Sequence, residues 1–430
     1  MILFYILVLS LPFVDHGFLG REIAGLTLEK IMGAGCFVYA LAYLPRRRTL
    51  PLMFETAQAK AFALYVALAV ISYLATAKEI TFADLISVFL SQFLFFITVM
   101  ILVDSRERLE NTVLALIGSI GFISLYLIRE WIGNIGIYGY SYRPGWVAGD
   151  PNMFSASALV VLPLMLYPMM HGPRPWQRAG AAGCLALTLV TFLLAASRGG
   201  FLGLAGMSLW HLRDNRRRLI AIAICAAIVM VCLVSPYSPL DRLLKPTASD
   251  IESSNIRLQL WTASGKMFAD HPLFGVGLWN FPLYMHRYLP PGVELDFVVP
   301  HNTYLEALVE MGATGLLVFL SVLGFSLWNL ERMRRTAIIL KDGYLAALTG
   351  SLSSGIVGFA IAVMFLSAKH AKVFWFAVFL SACLQPLLEA AIRSAKAKAV
   401  AGNVGAKPVK QELAVVQPAP IRVGNWLTRN

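Results

Sequence analysis

LISVFLSQFLFFITVMILV occupies residues 85–103 without one charged side chain, and this stretch decides the fold. A helix that crosses the hydrocarbon core of a bilayer needs about 20 predominantly apolar residues. Similar runs occur at residues 61–77 and 180–196 and along nearly the whole chain. The stretch therefore predicts a transmembrane helix, and its repetition predicts a protein with many such helices.

The overall composition excludes a soluble protein. Of the 430 residues, 58% are hydrophobic and only 14% are charged, with a mean hydropathy of +0.68, whereas soluble domains contain about a quarter charged residues. The net charge of +12 is spread over short clusters between apolar runs, so no nucleic-acid partner is expected. The five cysteines all fall inside predicted spans, so neither a disulfide framework nor a zinc site is expected.

The apolar pattern predicts an all-α fold, a polytopic bundle of about twelve transmembrane helices. The predicted spans lie near residues 2–17, 27–44, 60–77, 84–103, 112–131, 153–170, 180–197, 200–213, 219–235, 312–330, 343–365 and 372–391.

Arginine clusters predict the orientation of these spans. Connections that contain Arg46, Arg213 and Arg332 alternate with connections that lack such clusters, and basic connections stay in the cytoplasm. Both termini are expected on the same cytoplasmic side. The predicted organisation is therefore spans 1 to 9 in residues 1–235, an outward-facing loop with amphipathic helices in 236–311, spans 10 to 12 in 312–392, and a disordered cytoplasmic tail in 393–430.

The first candidate for chemistry is Arg198, in the turn that Ser197, Arg198, Gly199 and Gly200 are expected to form between two short spans. An arginine drawn below the membrane surface faces a polar cavity or a partner. Snorkelling to lipid headgroups is the alternative. The two glycines are expected to let the backbone turn sharply and approach a ligand.

The outward loop contains a predicted amphipathic helix that begins after Ser253 and Ser254. One stripe of this helix is apolar, and it comprises Ile256, Leu260, Ala263 and Met267. A second stripe includes Arg257 and Trp261, so Arg257, with Lys266 nearby, is expected to point toward a groove. A helix that lies flat on the bilayer with solvated cations is the alternative.

His301 stands directly before another predicted helix start. Thr303 and Glu306 have the spacing of a capping box, which leaves His301 beside the exposed amide groups of the helix. That position favours neutral imidazole, the form that accepts a proton, and it also suits anion binding. A structural histidine that is hydrogen-bonded in the loop is the alternative.

Two weaker signals lie in the connections. Arg143 is surrounded by aromatic residues that suit sugar rings as well as an interfacial belt, and it precedes Asp150, which is expected to cap the next span. Glu294 and Asp296 have the spacing of a divalent-metal pair. No further oxygen ligand is obvious, so no metal is expected there.

Three stretches together resemble the O-antigen ligase family. These are the SRGG turn at 197–200, the helix around 257–261 leading into HPLFGVGLWNF at 271–281, and HNTYLEALVEMGATG at 301–315. The resemblance covers about residues 140–320. It implies a GT-C-like fold in the inner membrane of a Gram-negative bacterium, with the outward loop in the periplasm. It also implies transfer of a glycan from undecaprenyl diphosphate to the lipid A core oligosaccharide, without a metal or other cofactor.

The resemblance also implies residue roles. His301 is expected to act as general base, and Arg198 and Arg257 are expected to neutralise the departing diphosphate. The residues expected to bind substrate are Arg143, Lys266, Asn302 and Trp261. An O-antigen or exopolysaccharide polymerase, with the same chemistry and a growing glycan as acceptor, is the alternative. A secondary transporter is a more distant one, since such proteins place charged or broken helices at the midplane, whereas the predicted spans here are nearly free of charge.

Overall fold

The computed structural model describes residues 1–13, 22–23, 26–44, 55–75, 89–140, 142–145, 149–212, 248–293, 295 and 298–403. These residues are helical apart from turns, connections and one short antiparallel ladder, in which β1 (Glu22–Ile23) pairs with β2 (Leu26–Thr27). The helices are α1 (Ile2–Ser10), α2 (Leu28–Tyr43), α3 (Ala57–Ala75), α4 (Ser91–Leu102), α5 (Arg106–Tyr138), α6 (Pro151–His171), α7 (Pro175–Ala195), α8 (Arg198–Leu212), α9 (Ala248–Asp270), α10 (Phe281–Tyr284), α11 (Thr303–Ile339), α12 (Gly343–Ala362) and α13 (Lys372–Asn403). Short 3₁₀ helices follow α10 at Met285–Arg287 and α12 at Val363–Phe365. The predicted helical class is confirmed.

Seven of the described helices are long and apolar enough to cross a membrane, namely α3, α5, α6, α7, α11, α12 and α13. Four other predicted spans correspond to the shorter helices α1, α2, α4 and α8. The span expected at 219–235 lies outside the described residues, as does the tail from residue 404. A membrane protein with several spans is therefore confirmed, whereas the predicted count of about twelve is not.

Met1–Glu389 form one compact unit, and the described part of Ala390–Asn430 is the end of α13. Within the first unit, α12 packs along α6, α8 and α11. A side-chain carbon on Gly203 in α8 would lie only 2.5 Å from the carbonyl oxygen of Gly358 in α12. Glycine thus lets the backbones of α8 and α12 touch, which fixes the position of the first residue of α8, Arg198.

Aromatic side chains fill the core between α3, α11 and α13. The ring of Tyr65 lies 5.9 Å from that of Phe319 and 5.4 Å from that of Trp375, and the last two rings are 6.2 Å apart. All three side chains are buried. Large buried rings at these separations stabilise the packing of the three helices.

The segment that was predicted to face outward has a small core of its own. The apolar stripe of α9, with Leu260, Ala263 and Met267, is buried against Phe281 and Met285, which confirms the stripe that the sequence pattern predicted. The predicted start after Ser253 is wrong, because α9 already begins at Ala248. The helix is longer than expected by about two turns, and that extension contains Asp250.

The turn at residues 271–277 fits into a break in α11. The helix is interrupted at Gly312, where φ is 68° and ψ is −169°. The Pro272 carbonyl accepts from the Ala313 N–H (2.8 Å), and the Val309 carbonyl accepts from the Val276 N–H (2.8 Å). This turn supplies partners for backbone groups that the break releases.

Two groups of connections lie at opposite ends of the bundle. Asp150 directly precedes the 21-residue helix α6 and His171 is its last residue, so the two are separated by roughly 30 Å. At the His171 end, an ion pair of 2.8 Å joins Arg106 to Asp342. At the Asp150 end, the Nη2 of Arg143 donates to the Oδ1 of Asn152 (3.0 Å).

Candidate functional site

One face of α9 holds the candidate site together. Asp250, Arg257 and Trp261 follow one another at intervals of seven and four residues, so they lie on the same side of the helix. Asp250 pairs with Arg198, with 3.6 Å between Oδ1 and Nη2. The Trp261 Nε1–H donates to the carbonyl of Pro300 (2.8 Å). The segments that carry Arg198 and His301 are thus both anchored to the helix that carries Arg257.

His301 is fixed on both sides along the chain. On one side, the carbonyl of Pro300 accepts from the Trp261 side chain. On the other side, Asn302 caps α11 by accepting from the N–H groups of Tyr304 (3.0 Å) and Leu305 (3.1 Å). The His301 backbone is left-handed, with φ of 51°, and its side chain is half-buried. The imidazole therefore has a defined place at the start of α11.

The predicted capping box of Thr303 and Glu306 is wrong. The Thr303 hydroxyl donates to the Leu366 carbonyl (2.7 Å) and accepts from the Ala368 N–H (2.9 Å), while Glu306 pairs with Lys369 at 2.8 Å. Both side chains are engaged by the connection between α12 and α13, so Asn302 takes the cap position instead.

The pKa of His301 lies below its ordinary value. Burial is the largest cause, and the positive charge of Arg257 acts in the same direction, whereas Asp150 and Glu306 oppose the shift by raising the pKa. The sequence predicted a neutral imidazole because His301 precedes a helix start. The lowered pKa agrees with that prediction, but its causes are burial and the charge of Arg257. His301 is therefore an acceptor for protons over more of the pH range than an exposed histidine.

Arg198 begins α8, and its turn is built differently from the prediction. Ala196, not a glycine, makes the turn in the left-handed region with φ of 43°. Gly199 and Gly200 belong to the first turn of α8, and the Ser197 hydroxyl accepts from the Gly200 N–H (3.1 Å). The expectation that the glycines form the sharp turn is wrong. Their role is close packing, since a side-chain carbon on Gly200 would lie 2.8 Å from Ser155.

Asp250 is a site residue that sequence reasoning missed. It is 3% exposed and it holds the guanidinium of Arg198. Its position seven residues before Arg257 was a usable signal, because residues seven apart share a helix face. The signal was hidden by placing the helix start too late.

Arg143 reaches the same end of the bundle. Its Nε donates to the Ala195 carbonyl (2.7 Å), just before the Arg198 turn, and its Nη2 donates to Asn152. The predicted cap of α6 is confirmed, since Asp150 accepts from the N–H groups of Asn152 and Met153. Arg143 thus ties the connection between α5 and α6 to the segment that carries Arg198.

Lys266 does not lie on the helix face that the other candidate residues share. It is exposed and lies nine residues after Arg257, about 180° around the helix. Glu294 and Asp296 lie outside the described residues. Among the residues that the structure describes, no group of three or more His, Cys, Asp or Glu side chains is arranged to hold a metal ion.

Residues 183–320 match the protein-family model described as O-antigen ligase, and this range contains Arg198, Asp250, Arg257 and His301. No curated protein matches the chain.

Proposed function

Residues 183–320 belong to the O-antigen ligase family, and from this premise we propose that the protein transfers a glycan from undecaprenyl diphosphate to the lipid A core oligosaccharide at the periplasmic face of the inner membrane. An acceptor hydroxyl oxygen forms a bond to the anomeric carbon of the glycan. The bond from that carbon to the diphosphate oxygen breaks, and undecaprenyl diphosphate leaves. The convergence of His301, Arg198 and Arg257 on one face of α9 is the observation that supports this function.

His301 is the general base in this proposal. It takes the proton from the acceptor hydroxyl as the new bond forms, which is the task of a correctly placed neutral imidazole. The supporting observations are its half-buried side chain, its lowered pKa and its fixed position between Pro300 and Asn302.

Arg198 and Arg257 stabilise the leaving group. The donor is already activated, so the developing charge on the diphosphate oxygens needs positive charge more than it needs a proton donor. Asp250 orients Arg198 from 3.6 Å, which is longer than a hydrogen bond. The planar fork of Arg198 therefore keeps N–H donors for phosphate oxygens.

In this proposal, Trp261, Asn302 and Arg143 hold the site in shape, whereas Lys266 has no role. The Trp261 Nε1–H donates to the Pro300 carbonyl, and the Asn302 side chain accepts from the first amides of α11. Arg143 donates to Ala195 and Asn152. A preorganised arrangement of this kind places charge before the reaction begins. Since the arginines provide the positive charge, the reaction is proposed to need no divalent metal.

The test is transfer with purified protein in proteoliposomes that contain undecaprenyl diphosphate-linked glycan and a lipid A core acceptor. Mass spectrometry is expected to detect the core oligosaccharide joined to the glycan, at the same rate with and without EDTA. Joining of glycan only to other lipid-linked glycan would replace the ligase proposal by a polymerase. Movement of glycolipid across the bilayer without any joining would replace it by a transporter.

A further inference from the structure

The end of α5 projects beyond the helix that packs beside it. Both α5 and α7 run toward the Asp150 end of the bundle, and they are in register where the Thr191 hydroxyl in α7 donates to the Ser124 carbonyl in α5 (3.1 Å). From this level α7 continues only to Ala195, whereas α5 continues to Tyr138. The last part of α5 therefore extends roughly 15 Å past the end of α7.

The projecting part of α5 exposes a helix face that is buried further down. Ser124, Trp131 and Tyr138 follow one another at intervals of seven residues, so they lie on one stripe of the helix. Ser124 is fully buried against α7, Trp131 is half-buried and Tyr138 is exposed. The stripe that faces the bundle thus becomes accessible to a ligand where α5 passes the end of α7.

The connection after α5 folds back over this stripe and adds two more rings to it. The rings of Tyr138 and Tyr142 stack with 5.5 Å between their centroids, and those of Trp131 and Tyr140 lie 6.2 Å apart. Tyr140 is exposed, as Tyr138 is. Together the four side chains form a surface that we call the aromatic patch.

The carboxylate of Glu130 fixes the aromatic patch beside the candidate site. Its Oε1 accepts from the Tyr142 hydroxyl (2.6 Å) and from the Gly145 N–H (3.3 Å). Arg143 lies between these two anchors and donates to the Ala195 carbonyl (2.7 Å), just before the turn that begins α8. The aromatic patch and the candidate site are therefore joined by one short, restrained piece of chain.

The place of the aromatic patch favours a sugar over a lipid. The exposed stripe of α5, which includes Leu125 and Ile132, lies about 100° away around the helix, and an interfacial aromatic belt would occupy that stripe. Sugar rings have apolar C–H faces that pack on aromatic rings, and their hydroxyl groups bond to polar groups at the edge. Tyrosine offers both an apolar ring and a polar tip.

We propose that the aromatic patch is a saccharide subsite, which binds sugar rings of a substrate while another part of that substrate occupies the candidate site. This inference rests on the proposed function, which involves two saccharides, namely the core oligosaccharide of the acceptor and the glycan of the donor. Stacking on the aromatic patch holds the saccharide next to Arg143. The aromatic patch acts in binding and takes no part in the chemical step.

The test compares Tyr138→Ala with Ile132→Ala. Both side chains are 62% exposed near the end of α5, so both variants are expected to fold, but only Tyr138 belongs to the aromatic patch. Saturation-transfer NMR titrations with soluble core oligosaccharide, and separately with the soluble glycan repeat, measure binding without transfer and show which saccharide the aromatic patch binds.

Tyr138→Ala is expected to weaken binding of one saccharide by about 2- to 10-fold, the scale of a single aromatic contact. Ile132→Ala is expected to bind both saccharides as the wild type does. Tyr138→Phe keeps the ring and is expected to retain binding. In the transfer assay, Tyr138→Ala is expected to raise the KM of the substrate that carries the bound saccharide and to leave kcat unchanged.

Three outcomes overturn the inference. One is equal binding by Tyr138→Ala and Ile132→Ala, and another is a wild-type protein that binds neither saccharide. The third is a spin label on Tyr138→Cys, in nanodiscs, that oxygen reaches and a water-soluble nickel chelate does not, since this would place the ring in lipid.

The binding measurements separate this inference from the proposed function. If the wild-type protein joins no glycan but binds a saccharide through Tyr138, the proposed function fails and the saccharide subsite stands. If the protein transfers glycan with the same KM values in Tyr138→Ala and Ile132→Ala, the saccharide subsite fails and the proposed function stands.

Discussion

At the scale of single residues, His301 has a strained backbone that the bonds of its two neighbours hold in place. A non-glycine residue in the left-handed region costs about 1–3 kcal/mol unless local interactions offset it, and the φ of His301 is 51°. The bonds from Trp261 to Pro300 and from Asn302 to the helix start keep the backbone in this conformation. The surrounding residues therefore set the direction in which the imidazole points.

Replacement of His301 tests the assignment of the base. His301→Ala is expected to reduce transfer by about 100-fold or more, the usual contribution of a general base, while the protein still binds the lipid-linked donor. The pKa of His301 is lowered by burial and Arg257. Wild-type transfer is therefore expected to fall only as the pH drops through a value below about 6.5, and to be constant at higher pH. Initial rates at saturating donor measure this profile.

A different pattern would assign His301 to diphosphate binding. If His301 acts as a cation, His301→Lys and His301→Arg retain substantial activity, and wild-type transfer decreases as the pH rises through the same range. Either result contradicts the role of general base.

Arg198 and Arg257 are expected to differ from an arginine that is exposed to solvent. Arg198→Ala and Arg257→Ala should each remove most transfer, because diphosphate charge is left uncompensated in a partly desolvated site. Lysine should restore little activity, since it lacks the planar fork. Arg287→Ala is the matched control, because Arg287 is exposed and lies over the Tyr284 ring. Equal activity of the Arg198→Ala or Arg257→Ala variant and the control would remove that arginine from the site.

Local sequence patterns identified important residues more reliably than they identified the residues that these contact. Asp150 was identified as a cap because its interaction is with the next two amides. Thr303 and Glu306 matched a capping pattern equally well, but their partners are Leu366, Ala368 and Lys369, about 60 residues away. No spacing rule reveals such contacts, and a long-range ion pair in the interior outweighs a local cap.

At the scale of elements, α9 and α11 show which features periodicity predicts. The buried stripe of α9 follows from the helical repeat, and the structure confirms it. The break of α11 at Gly312 was not predicted as such, because glycine in an apolar helix is common in membranes. Its cause is the insertion of the 271–277 turn, which is a tertiary contact.

Gly312→Ala tests this contact between the 271–277 turn and the break in α11. The added carbon would lie 2.2 Å from the Leu273 carbonyl in a backbone with φ of 68°, so we expect a loss of about 2 kcal/mol or more in stability. Gly324→Ala on the same helix is the control, because a carbon there meets no atom within 4 Å. Thermal unfolding in detergent compares the two variants. Equal melting temperatures would show that the turn does not depend on Gly312.

At the scale of the whole molecule, the predicted orientation places the His301 end of the bundle outside the cell membrane. Thr262→Cys and Lys341→Cys in a cysteine-free background test it, since both positions are exposed. An impermeant thiol reagent is expected to label Thr262→Cys in intact spheroplasts, and Lys341→Cys only after permeabilisation. The reverse labelling would contradict the arginine-based orientation.

The hydrogen bonds of Thr303 impose an order on the biosynthesis of the protein. Its partner Leu366 follows 63 residues later, so at typical rates of synthesis the ribosome needs roughly 3 to 13 seconds to reach it. During that interval a nascent chain already contains Arg198, Arg257 and His301. The connection that clamps the start of α11 does not yet exist, so the growing polypeptide contains the candidate site residues before the start of α11 is fixed.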